Sequence, residues 1–167
     1  MPCFDSRILD LCQHPHEGVR ERALIAASEN THPAIREFAL SRLSNGLSDH
    51  RIAGLFIKNF QPGDAQLLLD AVVVPEDEDE NHGLWMELRK VLEANPQCDD
   101  QRLAIVAYAL TPCASCRHGA AKLLVERHAA PVWLIAECQH DCEADTQVLS
   151  RDAGKHRENS ASRDEAT

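Results

Sequence analysis

Seven cysteines and nine histidines are the side chains of this 167-residue chain with the most chemistry to offer. Four of the cysteines fall late, in two close pairs, Cys113-x-x-Cys116 and Cys138-x-x-x-Cys142. Thiolates a few residues apart can grip one zinc ion or one iron–sulfur cluster, because both sulfurs reach the same centre. If the two helices that carry these pairs form an antiparallel hairpin, the start of the first lies beside the end of the second. Cys113, Cys116, Cys138 and Cys142 would then converge, with His118 or His140 as a spare ligand. The other reading is packing, since reduced cysteine is a small apolar side chain that often fills helix interfaces. A Cys-x-x-Cys also suits thiol–disulfide exchange, but that motif belongs at a strand-to-helix junction, and this one falls between helices. Covalent haem needs histidine after the second cysteine, where Arg117 stands.

A second cluster is Cys12-x-His14-x-His16, with Cys3 upstream and His32 downstream. It offers metal ligands, or it is an inter-helix loop in which His-Pro steps end one helix and start the next. Nucleophilic catalysis has little to stand on. The chain holds no Gly-x-Ser-x-Gly, no phosphate-cradling Gly-Lys-Ser/Thr loop and no Gly-x-Gly-x-x-Gly. Cys113 or Cys116 at a helix N-terminus would have a lowered pKa, but the sequence names no oxyanion donor or third group to go with it.

The elements that must position these residues read as helices. The chain is 44% apolar but only 4% aromatic, so its core rests on Leu, Ala, Val and Ile. That suits close-packed helices better than a β-sandwich. Helices are expected at about 5–12, 17–28, 33–45, 49–59, 64–74, 83–94, 99–110, 115–128 and 132–141, with a tenth starting near Glu143. The phasing is clearest in Val19, Ala23, Ala26 and Ala27, and in Leu103, Val106, Ala107 and Leu110. Pro33 suits a first helical turn and Gly46 a C-cap. Val72-Val73-Val74 is taken as helix because no partner strand is evident. The segment from Arg151 is polar and mixed in charge, so it reads as a disordered tail over 151–167.

Charge is uneven. The net charge is −10, and residues 61–100 hold eleven acids against two bases. No basic stripe is present to displace counterions, which argues against nucleic-acid binding. The consecutive acids Glu76, Asp77, Glu78, Asp79 and Glu80 repel one another and read as a solvated loop over about 75–82. Their sharper reading is a docking strip for a basic protein partner. No apolar run is long enough to span a membrane, and the start lacks a secretory pattern. An odd cysteine count in such a chain suggests reduced thiols in a cytoplasm.

One phrase repeats. Val19-Arg20-Glu21-Arg22-Ala23-Leu24 returns as Ile35-Arg36-Glu37-Phe38-Ala39-Leu40, each copy following a His-Pro step. With Cys116-Arg117-His118-Gly119-Ala120-Ala121 and the stretch from Ala130 to Asp145, these phrases resemble HEAT-like (armadillo-type) repeats, with a flavour of leucine-rich-variant repeats. The resemblance covers roughly 14–148, and residues 60–100 depart from the pattern. It implies an all-α solenoid of stacked antiparallel helix pairs, a single domain over 1–150. It also implies that Arg20, Arg36 and Arg117 tie one repeat to the next through acidic partners. The function it implies first is a non-enzymatic protein-interaction scaffold without cofactor, with Trp85 and Trp133 as aromatic anchors where exposed and as core otherwise. A zinc or iron–sulfur protein using the four late cysteines is the alternative. A HEAT-like lyase-type enzyme is the second; the related glycosylases would need a basic face that the sequence lacks.

Overall fold

Where prolines, histidines and acids interrupt the apolar pattern, helices begin and end. The computed structural model of the chain describes residues 4–47, 49–98 and 100–151. It is all-helical, with α1 (Arg7–Leu11), α2 (Glu17–Ser28), α3 (Pro33–Leu43), α4 (Arg51–Gly54), α5 (Asp64–Ala71), α6 (Glu78–Ala94), α7 (Arg102–Leu110), α8 (Ala114–Glu126) and α9 (Val132–Cys138). A further helical stretch covers 144–151. Residues 152–167, read above as a disordered tail, lie outside the described residues, as do Cys3 and Asp99. Among the described residues no helix is long and apolar enough to cross a membrane.

The caps follow from residue chemistry. His32 precedes Pro33 and its Nδ1 accepts the Ala34 N–H at 3.2 Å, relieving one of the unpaired donors at the start of α3. The Asp77 carboxylate accepts the Glu80 N–H at 2.9 Å and opens α6. The acidic run is therefore not a loop through residue 82. Glu78, Asp79 and Glu80 form the first turn of α6. Carboxylates are favoured there by the positive end of the helix, which offsets their mutual repulsion. The valine run is a second correction. α5 stops at Ala71, and Val72 makes an isolated parallel bridge with Leu47, whose N–H donates to the Ala71 carbonyl at 2.7 Å. Pro75 disfavours the helical conformation at Val74 before it, and β-branched side chains tolerate extended backbone well.

The described chain divides into two compact units, Met1–Leu103 and Ala104–Thr167, with the division inside α7. In the first unit α2, α4 and α6 pack side by side in a row, with α1 against α2, and α3 packs on α4 and α5. α4 is short because its chain tightens after Gly54 into turns with three-residue spacing, such as Phe56 N–H to Ala53 carbonyl at 3.0 Å. The segment Ile52 to Phe56 is nonetheless buried throughout. Leu24, Ile35, Phe56, Leu68, Leu84, Trp85 and Leu88 complete this core. In the second unit Tyr108, Ala121, Leu124, Leu134 and Cys138 are buried.

Two polar patterns thread the helices. The first pairs an arginine at the fourth helical residue with a downstream aspartate. Arg20 lies 3.8 Å from Asp49, Arg36 Nη2 donates to Asp64 Oδ1 at 2.5 Å, and Arg117 Nε donates to Asp141 Oδ2 at 2.8 Å. Each aspartate also accepts a nearby backbone N–H: Arg51 on Asp49 at 3.1 Å, Gln61 on Asp64 at 2.8 Å and Glu143 on Asp141 at 2.9 Å. The second pattern is carried by two asparagines in the first unit, Asn59 in the turns that follow α4 and Asn95 at the C-cap of α6. The Asn59 amide donates to the Asn30 and Leu55 carbonyls, and its oxygen accepts the His32 N–H. The Asn95 amide donates to the Ile57 and Val91 carbonyls.

Asp64 is fully buried and Arg36 is its cation. Removing one member of such a pair strands a buried charge, so Arg36→Ala should cost about 3 kcal/mol of stability. Lys58→Ala, which breaks an exposed pair with Glu29, should cost less than about 1 kcal/mol. Urea unfolding followed by circular dichroism separates the two; equal losses would deny the buried pair its role.

Candidate functional site

The chemistry of the second unit gathers where α8 begins. Cys113 has extended backbone and stands as the N-cap of α8, and Cys116 is the third residue of that helix. Residues three apart share a helix face, and the two sulfurs lie within 4.8 Å of one another. Cys113 is partly exposed while Cys116 is buried. The thiol of Cys113 is held below its ordinary pKa. The Cys116 backbone N–H is the main cause; the Cys116 side chain, the Ser115 N–H and the nearby Arg117 charge add to it, and partial burial opposes it. This is the expected effect of unpaired helix N–H groups on a thiolate.

Arg117 follows directly and is fixed by Asp141, whose side chain is 4% exposed. Burial pushes the Asp141 carboxyl up. The Glu143 N–H and the Arg117 guanidinium outweigh it and hold the group below the usual carboxylate range. Behind them Cys138 is fully buried and its thiol donates to Tyr108 Oη at 3.6 Å. Burial pushes Cys138 up, the opposite direction to Cys113. Tyr108 also meets the indole of Trp133 edge-on, with ring centroids 6.1 Å apart.

The four-sulfur site expected from a helix hairpin is not what this fold assembles. No three of Cys113, Cys116, Cys138 and Cys142 bring their sulfurs within 4.8 Å of one another. α9 ends at Cys138, so Cys142 does not sit one turn further on the same helix, and it is exposed. The physical reason is Asp141: its bonds to Arg117 and to the Glu143 N–H turn the chain toward the helical stretch at 144–151. Neither spare ligand joins a cluster with these sulfurs, for His118 Nδ1 pairs with Thr146 Oγ1 at 2.9 Å and His140 is exposed. The early cluster also stays apart. Cys12 is buried with its thiol pushed up to about 11 by burial, His14 accepts the His16 N–H, and His32 caps α3 and stacks on Phe4. Among the described residues no three of Cys12, His14, His16 and His32 form a ligand group.

The other sequence candidates separate in the same plain way. Glu76, Asp77, Glu78, Asp79 and Glu80 are all exposed. Trp85 is core at 1% exposed, whereas Trp133 is 49% exposed. Arg20, Arg36 and Arg117 each pair with an aspartate. Reading the sequence missed Asp141 and Tyr108. Asp141 had a signal: like Asp49 it stands two residues before a backbone N–H that its own side chain caps. Tyr108 had none, because a single buried tyrosine on an apolar helix has no distinctive spacing. Comparison with known proteins finds no matching family, no matching curated protein and no matching solved structure.

The Asp141 carboxyl has a lower pKa folded than unfolded, so the stability it contributes is present above about pH 4, its unfolded value. That contribution is lost as pH falls through the lower folded value. Asp141→Asn should therefore be less stable than the parent at pH 7, with the difference shrinking steadily below about pH 4. Chemical unfolding of both proteins across pH 2–7 checks this; a pH-independent difference would mean that the carboxylate charge plays no part.

Proposed function

We propose that this chain is a non-enzymatic protein-interaction scaffold built from HEAT-like helix repeats, and that it docks a protein partner through the start of α9. The repeat part of the reading is supported by the recurrence of one arrangement, an arginine at the fourth helical residue joined to a downstream aspartate that also holds a backbone N–H. It occurs in the first unit at Arg20 and Arg36 and again in the second at Arg117. The row formed by α2, α4 and α6 suits stacked helix pairs.

The observation that carries the docking part is Trp133. Tryptophan is the side chain most enriched where binding energy concentrates. Here it is half exposed beside Val132, itself 71% exposed, and it is steadied from one side by Tyr108. An aromatic side chain held in place gives up little rotamer freedom on contact, so more of its burial appears as affinity. A reducing compartment such as the cytoplasm fits the reading. The acidic residues 76–80 would add long-range attraction for a basic partner, with faster association at low salt.

The test is affinity purification of the tagged full-length chain from its native host, compared with the Val132→Ser/Trp133→Ala double variant. A protein retained in stoichiometric amount by the parent, and bound at least about tenfold more weakly by a variant of unchanged helicity, supports the proposal. Equal retention by both would move the docking surface elsewhere. Absence of any stoichiometric protein from the parent at micromolar concentration would overturn the scaffold reading.

A further inference from the structure

Although a helix and not a strand precedes them, we propose that Cys113 and Cys116 form a redox-active dithiol that exchanges with low-molecular-weight disulfides of the glutathione class, closing to a disulfide across the first turn of α8. The helix start alone supplies the N–H groups such a thiol needs. The geometry is that of an attacking and a resolving thiol. Cys113 sits at the helix cap, partly exposed, where an incoming disulfide can reach it; Cys116 lies three residues on and is buried. The two sulfurs are already within 4.8 Å. A disulfide needs them at about 2.05 Å with α-carbons about 4.4–6.8 Å apart. Residues three apart at a helix start stand about 5–6 Å apart at their β-carbons, so closure combines side-chain rotation with a small adjustment at the helix cap.

The reaction balances as two exchanges. The Cys113 thiolate attacks one sulfur of RS–SR; the S–S bond breaks, one thiolate leaves and takes up a proton, and Cys113 is left in a mixed disulfide. Cys116 then gives up its proton, its sulfur attacks the Cys113 sulfur, and the second thiolate leaves and is protonated. Two protein thiols are oxidised and one external disulfide is reduced to two thiols, with two electrons transferred. The helix N–H groups and Arg117 that favour the Cys113 thiolate also make it a good leaving group in the reverse direction. The bond is thus one that opens again under reducing conditions, unlike a structural disulfide. The environment distinguishes this thiol from its neighbours: Cys12 and Cys138 are buried with their thiols pushed up. Cys142 is exposed and serves as an internal control.

This inference does not depend on the scaffold reading. The test uses the full chain, fully reduced and free of metal, mixed with oxidised glutathione at pH 7, quenched by alkylation and mapped by peptide mass spectrometry. The expected result is consumption of Cys113 at least about tenfold faster than Cys142. It should be followed by a Cys113–Cys116 disulfide that reduced glutathione reopens. Cys116→Ala should instead accumulate glutathione on Cys113. The parent protein alone decides the matter if that variant folds poorly. A lasting glutathione adduct on Cys113 with Cys116 still open to alkylation after unfolding would overturn the proposal. So would faster reaction at Cys142, or a disulfide that joins either cysteine to a different residue.

Discussion

A buried carboxylate that answers to both an arginine and a backbone N–H is the constraint from which the helix arrangement follows. Removing Asp64 from water is costly, and Arg36 and the Gln61 N–H together offset that cost. Neither partner alone fills the carboxylate's acceptor sites. The aspartate therefore fixes two things at once: the start of a new element and the distance back to an earlier helix. Asp141 does the same in the second unit with Arg117 and the Glu143 N–H. Arg20 and Asp49 are a looser version, 3.8 Å apart and partly exposed, and the cost and the constraint both relax there. A core poor in aromatic side chains packs through small, similar shapes, which leaves register weakly specified by apolar contacts alone. Directional polar contacts supply the missing specificity.

Much of this could be read from the residues. α2 and α3 begin where the His-Pro steps and periodic apolar residues place them, and the arginines of the repeated phrase indeed have acidic partners. Three features could not be read locally. The helix over Val72-Val73-Val74 was lost to a bridge with Leu47, a contact set by tertiary position. The acidic run became a helix start because the field of the helix it begins outweighs repulsion within it. α4 tightened into short turns because the segment is buried through Phe56, where packing and not propensity decides. At the site, spacing located Cys113 and Cys116 at the head of α8. It did not reveal that α9 would end at Cys138, because the cause is Asp141, held by a residue 24 positions earlier.

The cysteines illustrate how little residue type says without surroundings. Cys138 is an apolar filler with a hydroxyl partner, Cys12 is a buried thiol that resists ionisation, and Cys113 faces backbone N–H groups and a guanidinium. Burial raises the free energy of a thiolate, and a helix terminus lowers it. The fold places the same side chain in both situations within one small unit.

The asparagine pattern of the first unit has a mechanical consequence. Asn59 grips the loop between α2 and α3 through the Asn30 carbonyl and the His32 N–H, and Asn95 grips the segment after α4 through the Ile57 carbonyl. Each bond joins only adjacent members of the row, so order spreads by nearest-neighbour coupling, as in a short one-dimensional chain. With three helices in the row there are two such joints, and each amide adds direction to a joint that apolar packing already holds. Loss of either asparagine would therefore loosen one joint and blunt the cooperativity of unfolding without dividing the row.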